Sequence, residues 1–386
     1  MKLMFVLSRF PYPLDKGDKL RAFHFLRLLA EHHEIHLFCL TEQKISEKSY
    51  QTVKTYCKSI RIEKLSKFNI AVNLIRALFS ALPFQVAYFY RASLKKKFED
   101  YYNEVKPDHV FCQLLRMAEY TSGINCKKTI DYQDVFSHGV KRRITVSPFY
   151  LKLVLKSEYK RLINYEKKIF DLFDNKLIIS ETDRELIPHP DKDKIEIISN
   201  GVDFDFFKAF DTAKSYDVVF TGNMAYPPNV DAALFLLKEI IPLAEKKCGR
   251  LKVAIAGADP HPAIQALKSE FHTVSGWVED IRLYYAQSAI FIAPMRLGTG
   301  LQNKLLEAMA MQIPCITTSL SNNALHAAVN KEILVGNTAE ELAECICNLM
   351  ENNDLRTELT TNALRFIKEN YSWKSNIDKL NNLIAD

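Results

Sequence analysis

The residues best suited to bind a ligand lie close together in residues 294–319, which read PMRLGTGLQNKLLEAMAMQIPCITTS. The pattern predicts a strand over 290–294, a loop that contains Gly298 and Gly300, and a helix over 303–311. Glycines let a ligand approach main-chain N–H groups, and the first turn of a helix adds positive potential. The stretch therefore predicts an anion-binding site.

Three charged side chains accompany this loop. Arg296 lies at its start, Lys304 in the first turn of the predicted helix, and Glu307 one turn later. Two cations and a carboxylate suit a diphosphate that carries a hydroxylated group on each side. A structural interpretation stays open, in which the glycines only form a turn, Lys304 is an exposed helix residue and Arg296 is a salt-bridge partner.

Residues 299–318, TGLQNKLLEAMAMQIPCITT, resemble the C-terminal signature of the GT-B glycosyltransferases of family 4, in which two glutamates are separated by seven residues. Glu307 matches the second glutamate, which the resemblance implies is hydrogen-bonded to the nucleotide ribose. Thr299 stands where the first, sugar-contacting glutamate belongs, so the resemblance predicts nucleotide binding more directly than sugar recognition. It also implies that the whole loop contacts the donor: Gly298, Thr299, Gly300, Leu301, Gln302 and Asn303.

A strand, a glycine turn and a helix are also predicted from Tyr216, where the sequence reads YDVVFTGNMAYPPNVDAALFLL. The resemblance places Gly222 and Asn223 in a turn that approaches the nucleotide. Many family members carry an Arg and a Lys in this turn to hold the diphosphate, whereas this chain has Asn223, Met224 and two prolines. Arg296 and Lys304 are therefore expected to stabilise the charge of the leaving group.

Three further segments match the family pattern. Residues 272–280, HTVSGWVED, resemble its Gly-aromatic-Val turn, which implies that Trp277 and Val278 hold the nucleotide base. The sequence ISNGVD at 198–203 resembles the hinge between two domains, and YSWKSNIDKLNNLIAD at 371–386 resembles a tail that crosses back to the first domain.

The chain of 386 residues is too long for one ordinary core and predicts two domains. Strand candidates alternate with helical patterns, which predicts parallel sheets covered by helices. The resemblance implies a GT-B architecture in the α/β class, with two Rossmann-like domains facing each other across a cleft. We expect an acceptor-binding domain over 1–200 with a crossing helix over 371–386, and a nucleotide-sugar-binding domain over 201–370. Strands of the first domain are predicted over 2–8, 35–40, 60–65, 109–114, 129–134, 177–180 and 195–199, and its first helix over 18–32.

Two loops of the first domain contain candidate site residues. SRFPYPLDKGDKLR lacks G-x-G-x-x-G, and the resemblance makes Gly17 and Asp18 candidates for contact with the donor phosphate or the acceptor. A helix cap by Asp15 or Asp18 is the structural alternative.

The second loop, DYQDVFSHG, follows a predicted strand, and ligands of open α/β sheets gather beyond the carboxyl ends of strands. The resemblance places an acidic residue or a histidine here, facing the acceptor. Asp134 is the first candidate and His138 the second. Asp131 fits a helix cap equally well.

The net charge of +6 is unevenly distributed along the chain. Residues 1–200 hold 35 Lys and Arg against 24 Asp and Glu, whereas the remainder holds 17 against 22. Basic and aromatic residues alternate over 68–103 and 141–170, which suits a helix at an anionic membrane surface or around the lipid tail of an acceptor. Core helices with basic outer faces would look the same. No nucleic-acid partner is expected.

The eight cysteines form no pair with zinc-ligand spacing and are predicted to be reduced thiols of a cytoplasmic protein. The basic and aromatic segments leave a second location open, peripheral contact with the inner face of the plasma membrane. The first residues, MKLMFVLSRF, predict a strand rather than a signal peptide, and no apolar run is long enough to span a membrane. Asp203 and Asp205 have the spacing of a D-x-D metal motif but lie in the hinge match. Neither a metal nor a separate cofactor is expected.

The resemblance implies an enzyme that moves a sugar, with retention of configuration, from a nucleotide diphosphate donor such as a UDP- or GDP-sugar to an acceptor hydroxyl. The acceptor would be a saccharide or a lipid-linked saccharide in surface polysaccharide or glycolipid assembly. Two alternatives stay open because a fold does not fix a function: a nucleotide-sugar 2-epimerase, and a non-catalytic protein that binds a sugar nucleotide or polysaccharide.

Overall fold

The computed structural model describes residues 1–297 and 300–385, apart from the side chain of Val146. The chain divides into two compact units. The first comprises Met1–Ser199 and Lys374–Asp386, and the second comprises Asn200–Trp373.

The first unit is built on a seven-stranded sheet in the order β3-β2-β1-β4-β5-β6-β7, in which every pair of neighbouring strands is parallel. The predicted strands of this unit are all present: β1 Lys2–Leu7, β2 Glu34–Thr41, β3 Ser59–Lys64, β4 His109–Gln113, β5 Lys127–Asp131, β6 Asn175–Ile178 and β7 Glu196–Ile197. Its helices are α1 Gly17–Leu29, α2 Glu47–Lys54, α3 Lys67–Leu78, α4 Phe84–Phe89, α5 Ala92–Val105, α6 Phe136–Val146, α7 Phe149–Phe170 and α8 Glu181–Leu186.

The second unit is built on a six-stranded parallel sheet in the order β10-β9-β8-β11-β12-β13. Its strands are β8 Tyr216–Thr221, β9 Val253–Ala256, β10 His272–Val274, β11 Ser288–Ala293, β12 Cys315–Thr317 and β13 Leu334–Val335. The helices are α9 Pro227–Phe235, α10 Ile241–Cys248, α11 Pro262–Gln265, α12 Arg282–Ala286, α13 Asn303–Ala310, α14 Ser319–Leu325, α15 Ala339–Glu351 and α16 Asn353–Asn370, and the chain ends with α17 Trp373–Ala385. A π-helical segment, Leu236–Ile240, joins α9 to α10.

The predicted fold class is confirmed, since each unit is a parallel sheet accompanied by helices. Central strands such as β1 and β9 are buried along almost their whole length, which explains why they read as continuous apolar runs rather than as alternating patterns. In both sheets the strand order reverses direction next to the first strand of the unit, between β1 and β4 in one and between β8 and β11 in the other. Ligands of such sheets bind beyond the carboxyl ends of the strands at this point of reversal.

The ends of some elements differ from the sequence predictions. The strand predicted over 129–134 ends at Asp131, so Asp134 lies in the following loop, and α1 ends at Leu29 rather than at residue 32. The caps considered for α1 are wrong, because its N-cap residue is Lys16, with no side-chain hydrogen bond. Asp18 instead accepts a hydrogen bond from Arg9.

Asp131 is not a helix cap either. It is fully buried at the end of β5, where its carboxylate accepts hydrogen bonds from Arg21 of α1 at 2.8 and 3.1 Å. The guanidinium of Arg21 is also buried and lies 4.5 Å from the ring centroid of Phe25. A bidentate ion pair therefore ties α1 to the centre of the first sheet.

The C-terminal helix α17 belongs to the first unit although it follows the whole second unit in sequence. Its apolar face is buried through Ile377, Leu380 and Ile384. Asn376 donates a hydrogen bond to the carbonyl of Ser199 at 3.0 Å, and the carbonyl of Leu383 accepts one from Asn175 at 3.0 Å.

Over the part of the chain that the structure describes, no helix combines the length and the apolar character needed to cross a bilayer. All eight cysteines are free thiols.

We expect Asp131→Asn to lower the free energy of unfolding by about 3 to 5 kcal/mol, because it leaves the buried Arg21 without its counter-charge. Urea denaturation followed by circular dichroism measures this change. Asp191→Asn is the matched control, since Asp191 pairs with Lys194 at the surface and its loss should cost less than about 1 kcal/mol. Equal effects of the two substitutions would show that the buried pair does not hold α1 on the sheet.

Candidate functional site

Three glycine turns lie side by side at the carboxyl edge of the second sheet. Gly222 follows β8, Gly257 follows β9 and Gly276 follows β10, with φ angles of +148°, +143° and +72°. A β carbon on Gly257 would overlap the carbonyl oxygen of Gly222, so the first two turns are packed backbone against backbone. The missing side chains of Gly222 and Gly257 thus leave room for neighbouring protein atoms, whereas a β carbon on Gly276 would meet open space.

Lys304, in the first turn of α13, reaches the first of these turns. Its Nζ donates a hydrogen bond to Oδ1 of Asn229 at 2.6 Å and lies 4.5 Å from the ring centroid of Phe220. A β carbon on Gly222 would be 3.1 Å from the same Nζ. The loop after β8 and the helix after β11 thus meet at the point where the strand order reverses.

The surroundings of Lys304 lower its pKa to about 7, because burial penalises the ammonium more than the nearby Glu307 carboxylate stabilises it. The hydrogen-bond partner on Asn229 is a neutral amide. A bound anion would add negative charge next to the Lys304 ammonium, which Glu307 stabilises only partly. The ammonium is therefore well suited to bind an anion.

Asn229 connects Lys304 to the turn after β8. Its Nδ2 donates to the carbonyl of Asn223 at 2.9 Å, and the side-chain oxygen of Asn223 accepts from the main-chain N–H of Ala225 at 2.9 Å. The side chain of Asn223, predicted to contact the donor, thus shapes the turn.

Glu307 lies one helical turn beyond Lys304 and belongs to a second hydrogen-bond chain. Its Oε2 accepts from the hydroxyl of Tyr285 at 2.8 Å, and that hydroxyl lies 2.7 Å from Oγ1 of Thr221 at the end of β8. Burial raises the pKa of Glu307, while the Tyr285 hydrogen bond and Lys304 oppose the rise. The carboxylate is held in one orientation, as recognition of a hydroxylated ligand requires.

Arg296 is bound to acidic residues on α9 and the segment after it. It makes a bidentate pair with Asp231 at 2.8 and 3.1 Å, has Glu239 at 3.7 Å, and stacks 4.1 Å from the ring centroid of Phe235. This arrangement is the one expected if Arg296 is a salt-bridge partner, as the structural interpretation of the sequence proposed. The catalytic role of Arg296 stays a prediction, and Lys304 is the better placed of the two cations.

The loop between β11 and α13 includes Gly298 and Thr299, which lie outside the described residues. A β carbon on Gly300 would meet open space, and its carbonyl accepts from Nε2 of Gln302 at 3.0 Å. Leu301 packs partly against the core of the second unit. Oδ1 of Asn303 accepts from Asn200 at 3.1 Å, so this predicted donor-contacting side chain is engaged within the protein.

Trp277 and Val278 follow the third glycine turn. The indole of Trp277 is 72% exposed, whereas Val278 is partly buried. Oγ of Ser275 accepts from the main-chain N–H of Gly257 at 3.2 Å, which ties this loop to the neighbouring turn. An exposed aromatic face beside the glycine turns is suited to stacking on a planar ring.

Candidate acceptor residues lie at the carboxyl edge of the first sheet. Asp134 follows β5, and His138 is in the first turn of α6. The carboxylate of Asp134 keeps an exposed surface, yet the protein packed around it and the carboxylate of Asp183 raise its pKa to about 6, against the opposing effect of Arg116. Burial and Lys141 lower the pKa of His138.

Arg116 was not singled out from the sequence, but the structure places it at the reversal point of the first sheet, after β4. Its guanidinium lies 5.2 Å from the ring centroid of Phe89 and 4.8 Å from that of Phe136, and burial lowers its pKa to about 10. Arg9 follows β1 at the same edge and pairs with Asp18 at 2.5 Å, while Gly17 begins α1. Two arginines, Arg9 and Arg116, thus lie at the same edge of the sheet as the predicted residues.

Within the described ranges, no group of three or more His, Cys, Asp or Glu side chains is arranged to hold a metal ion. The expectation that no metal is needed stays a prediction.

Sequence reasoning missed the residues that orient the predicted ones in the second unit: Thr221, Asn229, Gly257 and Tyr285. Each acts through a contact between segments far apart in sequence. The only sequence signals are that Thr221 ends a strand and that Gly257 follows one.

Residues 215–352 match the family model described as Glycosyl transferases group 1. An "uncharacterized 44.6 kDa protein in cps region" of Klebsiella pneumoniae is 24% identical over 397 residues, which cover 97% of each chain. An "uncharacterized glycosyltransferase" of Methanocaldococcus jannaschii is 34% identical over 92 residues, or 23% of this chain and 24% of that protein.

Solved structures share the fold over the whole length. A sucrose-phosphate synthase of Thermosynechococcus elongatus has a TM-score of 0.73 at 13% identity, covering 99% of this chain and 98% of that one. Anabaena HepE in complex with UDP has a TM-score of 0.70 at 12% identity and full coverage of both chains, and its complex with UDP-glucose has a TM-score of 0.71 at 10% identity, covering 100% of this chain and 99% of that one. Residues 215–352 therefore match the group 1 glycosyltransferase family, and the chain as a whole has the GT-B fold.

Proposed function

We propose that this protein transfers a sugar from a nucleoside diphosphate sugar to an acceptor hydroxyl, with retention of configuration. The observation that carries the proposal is the position of Lys304, whose partly desolvated ammonium lies beside the Gly222 turn. This is the point of strand reversal where ligands of doubly wound sheets bind. The complexes of HepE with UDP and UDP-glucose support a uridine nucleotide as the first donor to test.

The departing diphosphate gains negative charge as the glycosidic bond breaks, and the oriented ammonium of Lys304 would stabilise that charge. The amide of Asn229 positions the ammonium and contributes no charge of its own. No step of this proposal requires a metal ion.

Glu307 would bind the ribose. Because Tyr285 holds Oε2, the other carboxylate oxygen would accept hydrogen bonds from ribose hydroxyls. Trp277 would stack on the base, with Val278 and the main chain beside it. We also propose that Gly298, Thr299 and Gly300 contact the donor, as the resemblance to the family signature implies.

In the first unit, Asp134 or His138 would face the acceptor hydroxyl, with Gly17 and Asp18 near the donor phosphate or the acceptor. We propose a saccharide or lipid-linked saccharide as acceptor, in surface polysaccharide or glycolipid assembly. The relative from the cps region of Klebsiella pneumoniae supports this assignment. The free thiols fit a reducing compartment, so we propose that the reaction takes place in the cytoplasm.

A panel of UDP-, GDP- and ADP-sugars tests the reaction directly. We expect one donor to release free nucleotide, and the rate to persist in EDTA. Chromatography of the nucleotides and of the sugars measures both products. An epimerised sugar that stays attached to its nucleotide would replace the transferase proposal with an epimerase, and a rate that only Mg²⁺ or Mn²⁺ restores would overturn the metal-free mechanism.

Substitution of Lys304 and of Arg296 by methionine separates an effect on nucleotide binding from an effect on stability. Lys304→Met should weaken binding of the preferred nucleoside diphosphate by roughly 10- to 100-fold, since a charge-assisted hydrogen bond contributes about 1.5 to 3 kcal/mol. Its melting temperature should stay unchanged or rise, because the variant no longer buries an ammonium. Calorimetry and thermal denaturation measure the two effects.

Arg296→Met is the matched control. It should lower the melting temperature through loss of the Asp231 pair and change nucleotide binding by less than about twofold. The reverse pattern, with binding lost in the Arg296 variant and kept in the Lys304 variant, would assign the leaving-group charge to Arg296.

The lowered pKa of Lys304, about 7, predicts a pH dependence of binding. The ammonium is charged below pH 7 and neutral above it, and a bound diphosphate favours the charged form. Affinity should therefore fall by about tenfold or more between pH 6.5 and 8.5, as binding must take up a proton. Lys304→Arg keeps its charge throughout and corrects for titration of the nucleotide itself. Parallel pH profiles for both proteins would show that Lys304 takes up no proton when the diphosphate binds, and the substitution by methionine would then decide alone whether it lies in the site.

A further inference from the structure

The first unit exposes large apolar side chains on two helices that are joined to each other. On α3 and just after it these are Phe68, Ile75, Leu78 and Phe79, and on the first turns of α7 they are Phe149, Tyr150, Leu151, Leu153 and Val154. Phe79 is 89% exposed, Phe149 84% and Leu153 76%. We call these nine residues the α3–α7 surface. Exposed apolar groups on this scale mark an interaction surface.

The two helices are anchored to each other near the middle of α7. The guanidinium of Arg161 donates to the main-chain carbonyls of Ala77, Leu78 and Leu82, all at or beyond the end of α3. The carboxylate of Glu158 accepts from the main-chain N–H groups of Phe84 and Gln85 at 2.7 and 3.1 Å. These hydrogen bonds join α7 to the end of α3 and the start of α4, so the two helices that carry the exposed apolar side chains are held together.

The start of α7 is apolar around much of its circumference. Five of the six residues from 149 to 154 are large, apolar and exposed, and at about 100° per residue they cover more than half of the helix. A helix that docks in a protein groove presents one stripe. A helix end that is apolar on several sides is suited to a fluid apolar medium.

The sequence segments that carry the α3–α7 surface have charges of one sign. The sequence has no Asp or Glu between residues 64 and 98 or between residues 135 and 157. Exposed cations accompany the apolar residues: Lys67, Arg76, Lys141, Arg142, Arg143, Lys156, Lys160 and Lys168. Basic residues beside an apolar surface are attracted to anionic lipid headgroups.

An open pocket of about 320 Å³ lies at the junction of the two helices, with Ala81, Leu82, Lys160, Arg161, Tyr165 and Lys168 among its lining residues. Arg161 donates to neutral carbonyl groups and its charge also acts on the nearby Glu158 carboxylate, so the exposed Lys160 and Lys168 are the cations that give the pocket its positive charge. The pocket has the chemistry to receive a phosphate group next to inserted side chains.

We propose that the α3–α7 surface docks on an anionic lipid bilayer, with the apolar side chains inserted between the lipids and a headgroup phosphate in the adjoining pocket. This inference does not depend on the transferred sugar or on the donor site.

Sedimentation of the full chain with vesicles tests the proposal. We expect binding to vesicles that contain phosphatidylglycerol, weaker binding to phosphatidylcholine alone, and a loss of the difference at high salt. Phe149→Ser combined with Leu153→Ser should reduce binding to anionic vesicles by at least about tenfold. Lys160→Glu combined with Lys168→Glu should produce a similar loss on anionic vesicles and little change on neutral ones.

Leu172→Ser is the matched control, since Leu172 is an exposed leucine just beyond the other end of α7, about 30 Å from Phe149 by the rise of the helix. It should bind vesicles as the unaltered chain does. All variants replace exposed residues, and their melting temperatures and nucleotide affinities should not change. Equal binding of the unaltered chain to both vesicle types would overturn the proposal. It would also be overturned if the variants bound vesicles normally but changed the molecular mass measured by light scattering, and the surface would then be a contact between two copies of the chain.

Discussion

The second unit is organised around one partly buried ammonium group, that of Lys304. The ammonium loses hydration and receives in return a hydrogen bond to a neutral amide, the face of the Phe220 ring and the field of Glu307. Two glycines make room for this position: Gly222 has no side chain where Nζ comes closest, and Gly257 has none where the turn after β8 comes closest. Desolvation of the ammonium costs free energy as long as no ligand is bound. Binding groups of enzymes are commonly held in place by their surroundings in this way.

The fold was accessible from the sequence because buried parallel strands leave a strong pattern. Runs such as LMFVL in β1 and VAIA in β9 are apolar on both faces, and the helices between them repeat with a different period. The ends of elements were less accessible. Asp131 ends β5 in a buried pair with Arg21, and no local signal distinguishes such an aspartate from a helix cap.

The candidate site was predictable as far as it lies within one segment. Lys304 and Glu307 are three residues apart on one helix, so their proximity follows from helical geometry. The partners of both residues come from other strands and helices, and a hydrogen bond such as that between Lys304 and Asn229 has no trace in the sequence. Arg296 was predicted to bind the ligand because it is close to the glycine loop in sequence. The structure shows that it pairs with Asp231 on another helix, which the sequence pattern did not indicate.

The place of α17 in the first unit has a consequence for the order in which the chain acquires its structure. The second unit is continuous from Asn200 to Trp373 and can complete its sheet as soon as those residues have left the ribosome. The first unit, although synthesised earlier, lacks Ile377, Leu380 and Ile384 until α17 has emerged. The half of the protein that is made first is therefore finished last, and in the meantime the apolar surface reserved for α17 is exposed to water and to chaperones.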